Sequence, residues 1–175
     1  MDGEFSLDLN IDTVCLPRPE EKFDKSSCFV TGWGTDASGE KPNIMRSLKQ
    51  LTVDETNCEM KVREGLGKHF ELVPSQICAG GIPGRDTCQG SGGDALMCPG
   101  KGPDRRGSYV QAGIVSWGIG CGDGIPIVYA AVSEAVCWID MVVSCRTNGG
   151  SSSYFGYTGE SCRSLDPKYR LCSVQ

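Results

Sequence analysis

Asp86-Thr87-Cys88-Gln89-Gly90-Ser91-Gly92-Gly93-Asp94-Ala95-Leu96-Met97-Cys98 is the stretch that decides how this chain is read. Nine residues lie between its two cysteines. Gly90-Ser91-Gly92-Gly93 has the composition of a tight turn, where glycine supplies backbone angles that other residues resist. Ala95-Leu96-Met97-Cys98 is a short apolar run of the kind that forms a buried strand. Taken alone, Gly-Ser-Gly-Gly is only a glycine-rich turn between strands, and the rest of the chain must say whether it is more.

At 175 residues the chain suits one domain with an appendage and can bury a sizeable core. Its net charge of −5 and pI near 4.9 argue against nucleic acid and anionic membrane as partners, since polyanion binding needs a basic patch. The one tight basic cluster, Arg105-Arg106 beside Asp104, reads as a solvated loop tip. Eleven cysteines are too many for a reducing compartment and read as an oxidised, secreted framework. Zinc is the competing explanation, but there is no Cys-X-X-Cys and a single histidine, so neither metal nor cofactor is expected. The odd count leaves at least one thiol free or paired outside the chain. Residues Met1 to Asp8 carry neither a basic nor an apolar leader segment, and no apolar run has the length of a membrane span. The expectation is an export signal lying upstream in a longer protein.

Short β-rich runs separated by Gly, Pro and Asp clusters extend to about residue 132. They include Cys28–Thr31, Leu48–Val53, Ala95–Cys98 and Tyr109–Trp117, a rhythm that predicts an antiparallel sandwich or barrel. One helix is predicted over Glu55–Glu64, with Asp54 as N-cap and Gly65 and Gly67 ending it. A second is predicted over Ser133–Val143, where Ala135, Trp138, Ile139 and Val142 fall at helical spacing. After Cys145, Thr147-Asn148-Gly149-Gly150-Ser151-Ser152-Ser153 has no period and reads as a linker. The residues beyond it are too few for a core without disulfides.

The opening stretch resembles the active-site loop of the trypsin-like serine proteases, whose pattern is Asp-(Ser/Ala/Thr)-Cys-X-Gly-Asp-Ser-Gly-Gly-Pro-Leu-X-Cys. Other segments share the resemblance, most closely to the arthropod clip-domain proteases and their inactive homologues. Ile11–Pro17 is similar to the segment linking the two barrels, and Cys28–Gly34 to the opening strand of the second. Leu66–Leu72 leading into Ile77–Gly81 resembles the clip-domain subgroup. Ala112–Gly122 and Pro126–Tyr129, with Trp117 and Gly118, resemble the wall of the substrate cleft. In family order these segments cover roughly residues 4 to 140.

The resemblance implies an all-β fold, the C-terminal barrel of a two-barrel domain. Residues 1–22 would be the inter-barrel linker, 23–144 the barrel with its closing helix, and 145–175 a disulfide-containing tail. An ungapped alignment puts Gly92 at the nucleophile position, Ser91 where a carboxylate pairs with the new N-terminus after zymogen cleavage, and Gly90 at an oxyanion-hole donor. A rival register, with one residue deleted and one added, makes Ser91 the nucleophile. Asp86 matches the carboxylate at the base of the primary specificity pocket. Ile127 replaces a pocket-lining glycine and should narrow or close that pocket. The family's catalytic His and Asp belong upstream of the Val14-Cys15-Leu16-Pro17 segment, so His69 matches neither and reads as an exposed loop residue. Family pairing implies Cys28–Cys98, Cys58–Cys78 and Cys88–Cys121, with Cys15 tethering an upstream light chain. Cys137, Cys145, Cys162 and Cys172 are expected to form two local bridges of open connectivity.

A serine without an adjacent base is a weak nucleophile, and a glycine is none. The function so implied is a secreted, non-catalytic serine protease homologue, or a fragment of one. It would bind protein partners, either its own upstream half or cascade proteases and their substrates, as a cofactor in an immune or melanisation cascade. The alternatives are a truncated endopeptidase cleaving after Arg or Lys through Ser91, and a structural module in which the scaffold is only a rigid support.

Overall fold

The computed structural model describes residues 6–35, 39–84 and 89–147. Six antiparallel strands close into a barrel: β1 (Ser27–Gly32), β2 (Arg46–Val53), β3 (Gln76–Gly80), β4 (Ala95–Pro99), β5 (Tyr109–Trp117) and β6 (Pro126–Ala131). Their order around the barrel is β1-β2-β3-β6-β5-β4, so β1 pairs with both β2 and β4 and no edge stays open. Helix α1 (Glu55–Leu66) joins β2 to β3, and α2 (Val132–Thr147) follows β6 directly.

The period-two pattern explains the core. Cys28 and Val30 of β1, Leu96 and Cys98 of β4, and Val110 and Ala112 of β5 point inward at alternate positions and pack together. Ile127 and Tyr129 of β6 join them, and Phe23 adds a large side chain at 4 % exposure. Val128, between those two, faces outward and is equally buried, because α1 covers it with Cys58 and Val62. Burial on both faces gives β6 a continuous apolar run instead of an alternating one. Two bridges tie these layers, Cys28–Cys98 between β1 and β4 and Cys58–Cys78 between α1 and β3. Each is expected to stabilise by about 2–4 kcal/mol.

Helix α1 starts and ends on local signals. Asp54 accepts from the Asn57 N–H at 3.0 Å, and that hydrogen bond holds its carboxyl below the usual range. Gly67 takes a left-handed conformation (φ 64°) and its N–H closes on the Arg63 carbonyl. The helix then grips the following loop, with Arg63 Nε donating to the Phe70 carbonyl at 2.7 Å and Glu59 Oε1 accepting from Leu72 N–H at 2.8 Å.

One expectation is corrected by the fold. Arg105 is not a solvated loop tip: it is 4 % exposed and pairs at 3.0 Å with Glu21, 84 residues away. Lys101 reinforces the contact by donating to the Lys22 carbonyl and lying over the Phe23 ring. Cys15 is not free: it is disulfide-bonded. It is buried at 7 % exposure, with its backbone bonded to Tyr109 and Gln111 of β5. Cys137 is likewise disulfide-bonded. Cys162, Cys172 and the Gly/Ser-rich tail lie outside the described residues, as do the side chain of Cys145 and its pairing.

Candidate functional site

The glycine-rich loop is held from two sides. The Gln89 carbonyl accepts from both the N–H and the hydroxyl of Thr35, at 2.9 and 3.1 Å. On the other side Gly93 N–H donates to the Val115 carbonyl and Val115 N–H donates back to Asp94. Within the loop, Asp94 N–H reaches the Ser91 carbonyl at 2.9 Å, which makes a tight turn with Gly92 near its tip. Gly90 (φ 86°) and Gly93 (φ 92°) occupy backbone conformations that only glycine adopts without strain.

Gly92 differs from them. Its φ is not positive, it is exposed, and a Cβ built on it would meet nothing within 4 Å. Neither backbone nor space requires glycine there, so what the residue lacks is a functional group and nothing else. Ser91, the rival nucleophile, is 4 % exposed. Its hydroxyl donates to the Asp94 carboxylate and lies against Gly34, where any Cβ would collide with Oγ. The Asp94 carboxyl fills the space over Gly32 in the same way. Burial raises the Asp94 pKa, and the Ser91 hydroxyl partly offsets that rise. The glycines of Gly32-Trp33-Gly34 therefore make room for two residues that depart from the protease pattern. The sequence marked both departures but not that they touch.

Beside the loop, Ile127 is 4 % exposed and its Cδ1 packs against Gly118, leaving no room for a Cβ on that glycine. Trp117 stacks edge-on against Phe70 with ring centroids 5.5 Å apart, and an irregularity in the β5–β6 pairing between Val115 and Trp117 sets its direction. Asp86, the carboxylate expected at the pocket base, lies outside the described residues, and so does Cys88. Cys121 is an exposed free thiol, and the implied Cys88–Cys121 bridge falls on Cys88, outside the described residues. The loop around Cys121 is held by a backbone hydrogen bond from Gly84 N–H to the Gly122 carbonyl at 2.9 Å. His69 is exposed on the loop after α1 and pairs only with the equally exposed Glu71 at 2.9 Å. Among the described residues no cluster of His, Cys, Asp or Glu has the arrangement of a metal site.

The Trypsin family model matches residues 1–139. The chain belongs to the trypsin family. Phenoloxidase-activating factor 2 of Galleria mellonella is 45% identical over 143 residues, which cover 78% of this chain and 46% of that protein. Inactive CLIP domain-containing serine protease A8 of Anopheles gambiae is 37% identical over 139 residues, 78% of this chain and 37% of the relative. The A28 protein of the same mosquito, also named inactive, is 40% identical over 133 residues, 75% and 34% of the two chains. The chain thus spans less than half the length of each of these trypsin-family relatives.

Proposed function

We propose that this chain is a non-catalytic serine protease homologue, or part of one, that works outside the cell by binding protein partners in an immune or melanisation cascade. The observation that carries this reading is Gly92, a residue without a nucleophilic atom at a position where a side chain would fit. Two further features support it. Ser91 is buried and its hydroxyl is committed to Asp94, which counts against its use as a nucleophile. Ile127 packs against Gly118, and the family resemblance assigns both to the pocket that would receive an arginine or lysine side chain, so this packing supports a closed pocket. The relatives named as an activating factor and as inactive clip-domain proteins are consistent with a role in binding. The structural disulfides fit an oxidising compartment. Exposed apolar side chains on the N-terminal segment, Leu7, Leu9 and Ile11, offer a surface for a protein partner such as an upstream half.

Incubating the purified chain with a fluorogenic arginine substrate and a serine-directed fluorophosphonate probe tests the proposal. Background turnover and no labelled peptide are expected. Labelling that maps to Ser91 would replace this reading with that of an active endopeptidase.

A further inference from the structure

A groove of about 650 Å³ runs between the Glu20–Asp24 loop, the N-terminus of α1 and the start of α2. That is within the usual size of a ligand site, about 300–1,000 Å³. Six carboxylates line it, from Glu20, Glu21, Asp24, Asp54, Glu55 and Glu134, against the single basic side chain of Lys22. Apolar groups, among them Phe23, Leu72 and Ile77, lie between them, and Val73 is 47 % exposed. Several of these charges have local duties. Asp54 caps α1, and Lys25 acts on its carboxylate. The two helix N-termini facing the groove bring about half a positive charge each. Even so, the wall stays net negative.

Glu21 supplies the second observation. Its side chain is 9 % exposed, and Oε2 is taken by the Arg105 guanidinium at 3.0 Å and the Arg18 N–H at 2.7 Å. Its other oxygen, Oε1, is buried with no hydrogen-bond partner. An unsatisfied buried carboxylate oxygen costs free energy, and Glu21 is among the residues that line the groove.

We propose that this groove docks a cationic, partly apolar segment of a partner protein, with arginine or lysine against the carboxylates and aliphatic side chains against the floor. The proposal rests on the binding role given above and names the chemistry of the partner. Arginine suits the site because its planar guanidinium carries several donors for carboxylates and its stem covers apolar surface.

The test uses the full chain and a fluorescein-labelled hexapeptide of alternating arginine and leucine, read by anisotropy. The exposed rim acids Glu20 and Asp24 are reversed together to lysine, leaving Glu55 and Glu134 because a cation in the first turn of α1 or α2 would weaken the helix. A control pair, Asp12→Lys and Glu71→Lys, makes the same change in net charge at exposed sites elsewhere. The hexapeptide should bind the wild-type chain and weaken with added salt. The groove pair should lose at least about tenfold in affinity and the control pair less than about twofold. Equal loss in both pairs would mean that the peptide follows net charge, and no binding to the wild type would empty the groove of meaning; either result overturns the proposal. Both leave the non-catalytic reading standing, since that reading falls only to probe labelling or turnover.

Discussion

Gly92 and Asp94 sit two residues apart in one turn, and their substitutions should behave in opposite ways. Gly92→Ser places a hydroxyl in open space on an ordinary backbone. It should change stability by no more than about 0.5 kcal/mol in a denaturant melt and restore no turnover. Asp94 titrates against the fold. Burial raises its pKa above the ordinary carboxylate value, so the native state holds the proton more tightly than the unfolded chain. Stability is therefore lost as pH rises from the unfolded value through the raised folded one, and the loss persists at neutral pH. Asp94→Asn should remove that loss: the variant should match or exceed the wild-type melting temperature at pH 7 and show no advantage near pH 3. A wild-type melting curve that is flat across the acid range while the variant is less stable would reverse the sign argued here. At this scale the sequence disclosed that residue 92 carries no oxygen, because identity alone decides that. It did not disclose the Ser91–Asp94 contact or the buried Arg105, whose partner is 84 residues distant. Neither residue type nor local spacing records a tertiary neighbour.

Among the elements, those with local signatures were legible. β1, β2, β4 and β5 alternate, and α1 is bounded by an aspartate cap and a glycine in the left-handed region, so the observed ends lie within two residues of those expected. β3 and β6 were recognised only by family likeness; β6 is buried on both faces and shows no alternation to read. α2 runs to Thr147, four residues beyond the predicted Val143. β6 also carries Ile127, which is buried in the core and packs against Gly118. Ile127→Gly should destabilise by about 3–5 kcal/mol, from the lost side chain and the added backbone freedom. If the variant stays folded it should take up an arginine-like amidine, measured by calorimetry, that the wild type excludes. Amidine binding to the wild type would show that Ile127 leaves the pocket open. Removing the Cys58–Cys78 bridge with two alanines should cost about 2–4 kcal/mol in a urea melt, since it restricts a separation of 20 residues between α1 and β3.

For the molecule as a whole, the pairing of β1 with β4 has a consequence in time. Cys28 and Cys98 are 70 residues apart, and the barrel cannot close until the β2, α1 and β3 region between them is in place. Loop-closure entropy grows with loop length, so the shorter Cys58–Cys78 loop should form first during oxidative refolding. Quenching aliquots with a thiol-blocking reagent and mapping peptides reads the order directly, and an early Cys28–Cys98 species would refute it. Antiparallel sheets closed by such distant partners fold on the millisecond-to-second scale typical of high contact order. Until the seam between β1 and β4 shuts, both strands are unpaired edges carrying apolar side chains, the form in which β-rich chains aggregate. The yield of this chain on refolding should therefore depend on its concentration during that interval, before any question of binding or catalysis arises.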